Sequence, residues 1–151
     1  MEKPIEEDAL LTALRHALGA DHRQALVVED DPQLAEVLQM TLARHGLEVR
    51  HARTGREAMR LGRAIVPDLL VLDLALAGGD GYSVVEWMRG QRWLRTVPVL
   101  VYTAFDLEEA DRNRLRLGET KFLTKGRTPP ALFEAQLEEL LKWMAEETSR
   151  R

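Results

Sequence analysis

Leu69-Leu70-Val71-Leu72-Asp73 is an unbroken aliphatic run closed by an aspartate, and its reading decides the fold. So apolar a strand suits a position buried on both faces, as in the interior of a parallel sheet. Val97 to Tyr102 reads the same way, and Ala25 to Glu29, Leu47 to Ala52 and Thr120 to Thr124 complete five strand candidates. Longer stretches at helical spacing separate them, the pattern of an α/β fold with a doubly wound parallel sheet and helices on both faces.

The first helix is expected to face the core with Leu34, Val37, Leu38, Thr41 and Leu42, and to end at Gly46. Asp31 before Pro32 reads as its cap. Ala58, Leu61 and Ile65 mark a second helix, and Val84, Val85 and Met88 a third after Asp80-Gly81. A charged fourth spans about Asp106 to Leu117. The fifth is expected to start with Thr128 as N-cap and Pro129 at the first position, with Phe133, Leu137, Leu140, Leu141 and Met144 inward. An additional amphipathic segment, Ile5 to Leu18, carries Leu10, Leu14, Ala17 and Leu18 on one stripe. The chain thus divides into an N-terminal helical extension (1–21), one α/β domain (22–147) and a short tail (148–151).

With 151 residues, one core is the natural size. The absence of cysteine excludes disulfides, thiolate catalysis and cysteine-bound zinc, and the acidic start lacks a secretory signal, so a cytoplasmic setting is expected. A net charge of -4 argues against a surface built throughout for nucleic acid, and no stretch is apolar enough to span a membrane. Arg112, Arg114 and Arg116 alternate around their helix and read as a solvated surface. Histidines 16, 22, 45 and 51 lack metal-binding spacing, and none ends a strand that joins the acidic residues, so they read as surface or helix residues. Trp87, Trp93 and Trp143 read as packing groups.

Open parallel sheets collect their chemistry beyond the C-terminal strand ends, where strand order reverses. There the sequence places Glu29 and Asp30 after the first strand, Asp73 after the third, Thr103 after the fourth and Lys125 after the fifth. Close carboxylates need a cation, and an oxygen-only donor set suits Mg²⁺. An ammonium and a hydroxyl beside them suit an anionic group, and the set describes phosphoryl transfer to an aspartate.

From Ala25 to about Leu141 the chain resembles the response-regulator receiver domain of two-component signalling, with five separated motifs in the family's order. The resemblance implies a flavodoxin-like sheet of order 2-1-3-4-5, as in stand-alone chemotaxis regulators, with five helices plus the N-terminal one. It implies Asp73 as phosphoacceptor, Asp30 as direct Mg²⁺ ligand, Glu29 acting through water, and the Ala75 carbonyl completing the ligands. Thr103 would hydrogen-bond the phosphoryl group, Lys125 would pair with it, and Phe122 would be the aromatic whose rotamer reports the switch. Side chains two positions beyond the phosphoacceptor and the hydroxyl residue, here Ala75 and Phe105, would border the approach of hydrolytic water. Ala77 and Gly126 stand where the family usually has proline.

A histidine kinase or phosphotransfer protein is the expected donor. Only one long helix follows Lys125, so output is expected through an unidentified protein target without direct DNA binding. The N-terminal stripe suggests a homodimer, together with the face of the fourth and fifth helices that the family commonly uses. Two alternatives stand beside this reading. A pseudo-receiver would keep the fold as an unphosphorylated binding module. A haloacid-dehalogenase-type aspartyl-phosphate hydrolase would need a second acid two residues after the nucleophile, where Ala75 stands, and its nucleophile would end the first strand.

Overall fold

A computed structural model of the protein describes residues 23–76 and 81–149. The expected N-terminal helix, and with it the segment invoked for a dimer, lies outside the described residues, as do Ala77 and Asp80.

Five parallel strands form one sheet in the order β2-β1-β3-β4-β5: β1 (Gln24–Val28), β2 (Glu48–Ala52), β3 (Leu69–Leu72), β4 (Val99–Thr103) and β5 (Thr120–Thr124). The intervening helices are α1 (Pro32–Arg44), α2 (Gly55–Ile65), α3 (Gly81–Arg89), α4 (Glu109–Leu115) and α5 (Pro130–Ser149). This is the flavodoxin-like order that the resemblance implies. Because β1 and β3 are neighbours while the chain leaves them in opposite directions, the topological switch point lies at their C-terminal ends.

Strand residues alternate between two cores, as their period of two requires. Leu26, Val28, Leu70, Leu72, Val99 and Val101 pack with Ala58, Val84, Val85, Met88 and Leu115, from α2, α3 and α4. Ala25, Val27, Leu69, Val71 and Leu100 pack with Leu38 and Leu42 of α1 and Phe133, Leu137, Leu140 and Met144 of α5. Both sides of β3 are therefore covered, which is why its sequence shows no polar alternation. Trp87 and Trp93 pack against the first core and Trp143 against the second.

Several boundaries and one face differ from expectation. Pro98 has no N–H to donate, and β4 starts after it at Val99, two residues later than the apolar run suggests. Thr128 does not cap α5: its hydroxyl donates back to the Thr124 carbonyl at 2.8 Å. The Pro129 carbonyl accepts the N–H groups of Leu132 and Phe133, so the helix begins one residue later, at Pro130. Helix α4 is shorter at both ends than its charged stretch, and it starts where the Glu108 N–H meets the Asp111 carboxylate at 3.3 Å. On α1, Val37 is exposed and Ala35 is buried in its place. Val37 lies about 100° around the helix from Leu38, outside the stripe that meets the sheet.

Asp31 caps α1 as expected, its carboxylate accepting from the Gln33 and Leu34 N–H groups. Gly81 opens α3 in close contact with β3, and a Cβ there would stand 2.8 Å from the Asp73 carbonyl oxygen. Among the described residues no peptide bond is cis, and Gly126 after Lys125 takes a φ of +84°, a left-handed conformation that favours glycine over proline. No described helix is long and apolar enough to cross a membrane.

Candidate functional site: an acidic cluster at the switch point

Where β1 and β3 end side by side, Glu29, Asp30 and Asp73 bring carboxylate oxygens within 4.8 Å of one another. Glu29 is only 2 % exposed and Asp73 5 %, so two of the three acids are withdrawn from water. Their backbone is held by the sheet: the Asp73 N–H donates to Val28 and the Glu29 N–H to Ala52, each at 3.0 Å.

Lys125 enters from the end of β5. Its ammonium donates to Glu29 Oε1 at 2.9 Å and to Asp73 Oδ2 at 3.2 Å, and its own N–H donates to the Thr103 carbonyl at 2.8 Å. The other Asp73 oxygen accepts the Ala75 N–H at 3.3 Å, while Glu29 Oε2 accepts the Asp31 N–H at 3.1 Å. Burial raises the Glu29 carboxyl above its usual range, and the nearby Asp73 charge adds to the rise, against the pull of the Lys125 and Asp31 hydrogen bonds. For Lys125, burial alone would lower the ammonium, but its bond to Glu29 and the charges of Asp73 and Glu29 outweigh that and raise it. One ammonium thus faces three carboxyl groups, and the donor set is all oxygen. A hard divalent cation fits such a set, since it supplies the positive charge that Lys125 alone does not.

Thr103 is buried at the end of β4, and its Oγ1 accepts the Phe105 N–H at 3.3 Å. Phe105 itself is 51 % exposed. Phe122 lies on β5 opposite Val101, packed against the core on the α2–α4 side. Alternation puts it on the same face of the sheet as Thr103, two residues beyond Val101 on the neighbouring strand. The sequence-expected site residues Glu29, Asp30, Asp73 and Lys125 therefore meet directly, Ala75 contributes an N–H contact to Asp73, Thr103 borders through the Lys125 backbone, and Phe122 stands apart on the shared face.

Three relationships were not legible in the sequence. His51, expected at the surface, points its Nε2 at the Glu29 carbonyl oxygen, 2.6 Å away, and so does join the acidic site. The only signal for it is the pairing of β1 with β2, which sets His51 opposite Val27. Arg112 and Arg116, expected to be merely solvated, both place guanidinium groups 5.5 Å from the centre of the Phe122 ring, and Arg114 stands over Tyr82 at 4.2 Å. His45 meets Glu134 and Glu138 of α5 in space, and Arg44 pairs with Glu134 there.

Residues 25–136 match the family described as the response regulator receiver domain. The transcriptional regulatory protein GltR of Pseudomonas aeruginosa is 32% identical over 126 residues, covering 83% of this chain and 51% of that protein. The alkaline phosphatase synthesis transcriptional regulatory protein PhoP of Bacillus subtilis is 35% identical over 108 residues, covering 72% of this chain and 44% of that protein. This chain spans about half the length of these curated relatives. Among solved structures, the signal receiver domain of a signal transduction histidine kinase from Syntrophus aciditrophicus aligns with a TM-score of 0.68 at 35% identity, covering 80% of this chain and 90% of that one.

Proposed function

The chain belongs to the response regulator receiver domain family, and from that premise we propose that it works as a phosphorylation switch in a two-component phosphorelay, taking a phosphoryl group on Asp73 from a histidine kinase or phosphotransfer protein. The observation that carries this reading is the position of Asp73: a buried carboxylate at the switch point, with one oxygen on the Lys125 ammonium and two further acids within 4.8 Å.

Asp30 and Asp73 would hold Mg²⁺ directly, with the Ala75 carbonyl as third protein ligand and Glu29 acting through water. Bound there, the ion supplies charge that offsets the carboxylates and the phosphoryl oxygens. The protein's own groups do the rest. The Ala75 N–H and Lys125 fix the rotamer of Asp73, so one carboxylate oxygen attacks phosphorus as the bond to the donor histidine nitrogen breaks and its electron pair leaves with the imidazole. Lys125 then pairs with the phosphoryl oxygens, and the Thr103 hydroxyl donates to one of them. Movement of Thr103 reaches Phe122 along the face they share, which changes the surface formed by α4 and β5. The chain assists its own phosphorylation and dephosphorylation but turns over no separate substrate. Output passes to a protein target, in a cytoplasmic setting that fits the cysteine-free composition.

A phosphatase of the haloacid dehalogenase type is disfavoured by Ala75, which offers no second acid. The pseudo-receiver alternative is disfavoured by the complete set of Glu29, Asp30, Asp73, Thr103 and Lys125. Incubation with acetyl phosphate and Mg²⁺, followed by intact-mass measurement, tests the proposal. The native protein should gain one phosphoryl group and Asp73→Asn none; a native protein that stays unmodified would leave the pseudo-receiver as the better reading.

A further inference from the structure

The Glu29 carbonyl is the acceptor half of the peptide unit that leads into Asp30, and it lies 2.6 Å from His51 Nε2. A carbonyl oxygen only accepts, so Nε2 carries the proton and donates. In a parallel ladder, a strand residue donates its N–H to one partner and accepts from another two residues further along. Glu29 keeps the first half, donating to the Ala52 carbonyl. The second half would come from Thr54, but that residue has left the sheet to cap α2, its hydroxyl oxygen accepting the Glu57 N–H at 3.1 Å. The half-buried imidazole of His51 supplies the missing donor, and Glu29 is thereby held by β2 through both its N–H and its C=O.

We propose that His51 is a positioning residue for the acidic site: by clamping the Glu29–Asp30 peptide it aims the Asp30 carboxylate toward Asp73. The proposal rests on the reading of Asp30 as a Mg²⁺ ligand. An outer contact of this kind fixes a ligand's orientation without touching the ion, and losing one typically weakens metal affinity about 10–100-fold. Few side chains suit the task from this position. The donor must span from one β2 pleat to the end of the neighbouring strand, which needs an N–H at the reach of the imidazole Nε2.

Mg²⁺ titrations followed by amide NMR on the full chain test it, using native protein, His51→Phe, His51→Gln and Asp30→Asn, with urea unfolding of each. Phenylalanine keeps a ring and removes the donor, whereas glutamine restores an N–H at similar reach. His51→Phe should bind Mg²⁺ about tenfold more weakly, and His51→Gln should return to within about twofold of native. Equal affinities for native and His51→Phe, or equal losses in both His51 variants, would overturn the proposal. Unchanged binding in Asp30→Asn would instead overturn the assignment of the ligand itself. Should His51→Phe fail to fold, the native His51 Nε2 proton decides: it should resist solvent exchange and shift along the Mg²⁺ titration curve, and an exchanging or unmoved signal sinks the idea.

Discussion

Lys125 Nζ donates to Asp73 Oδ2 at 3.2 Å across the end of β4, so the first residue past the edge strand neutralises the carboxylate at the end of the central one. The same ammonium serves Glu29, and both acids are nearly withdrawn from water. Lys125→Met would leave them facing each other without that cation. Breaking a fully buried pair costs about 3–5 kcal/mol; with 23 % of the Lys125 side chain exposed, we expect about 2 kcal/mol. Urea unfolding measures it, and added Mg²⁺ should restore more stability to the variant than to the native protein. Equal midpoints without Mg²⁺ would mean that Lys125 carries no structural charge balance.

The raised carboxyl of Glu29 gives stability a definite slope with pH. Over a window above the ordinary value of 4.5, the folded chain keeps a proton that the unfolded chain has lost, so this group's contribution falls as pH rises through the raised value. Lys125 acts elsewhere on the scale: its contribution is complete below 10.5 and is lost only as pH rises through its raised value. Glu29→Gln removes the first slope. Between pH 4.5 and neutrality, without Mg²⁺, the native protein should lose stability relative to the variant; a difference that stays constant, or moves in favour of the native protein, contradicts this account.

The extent to which all this was readable varies with the physics involved. Strands β3 and β4 announce themselves because burial on both faces leaves an unbroken aliphatic run in each, Leu69 to Leu72 and Val99 to Val101, and that placed Asp73 and Thr103 at their ends. Glu29, Asp30 and Lys125 followed from the same rule about strand ends. Boundaries were less legible where competing local bonds decide them, as when the Thr128 hydroxyl turns back to Thr124 and leaves Pro129 to cap α5. His51 was missed for a different reason: its partner lies on a neighbouring strand, and only register joins them. The stacking of Arg112, from α4, and of Arg116, just past its end, on Phe122 is likewise a contact with an edge strand, with no mark in local spacing.

By the family resemblance, Ala75 and Phe105 would border the approach of the water that removes a phosphoryl group from Asp73. Ala75 and Phe105 can offer no side-chain hydrogen bond to a hydrolytic water, and the half-exposed Phe105 ring stands two residues after Thr103, with its N–H on the Thr103 hydroxyl. Groups that position or deprotonate water contribute typically about 10²–10⁴ to a rate. A slowly decaying phosphoprotein is therefore expected. The double variant Ala75→Asn, Phe105→Glu should lose phosphate about 10²-fold faster in a timed mass assay, at the lower end of that range. An equal or slower loss in the variant would show that Phe105 simply packs away from the site.

The central claim is that Asp73, rather than either neighbouring acid, carries the phosphoryl group, and borohydride tests it most directly because it reduces an aspartyl phosphate to homoserine while sparing free carboxylates. The protein would be treated with acetyl phosphate and Mg²⁺, reduced, digested and sequenced by mass spectrometry. Homoserine at position 73, with Glu29 and Asp30 unaltered, is the predicted result. Reduction at Glu29 or Asp30, or no reduced residue in a protein whose intact mass shows a phosphoryl group, would contradict it.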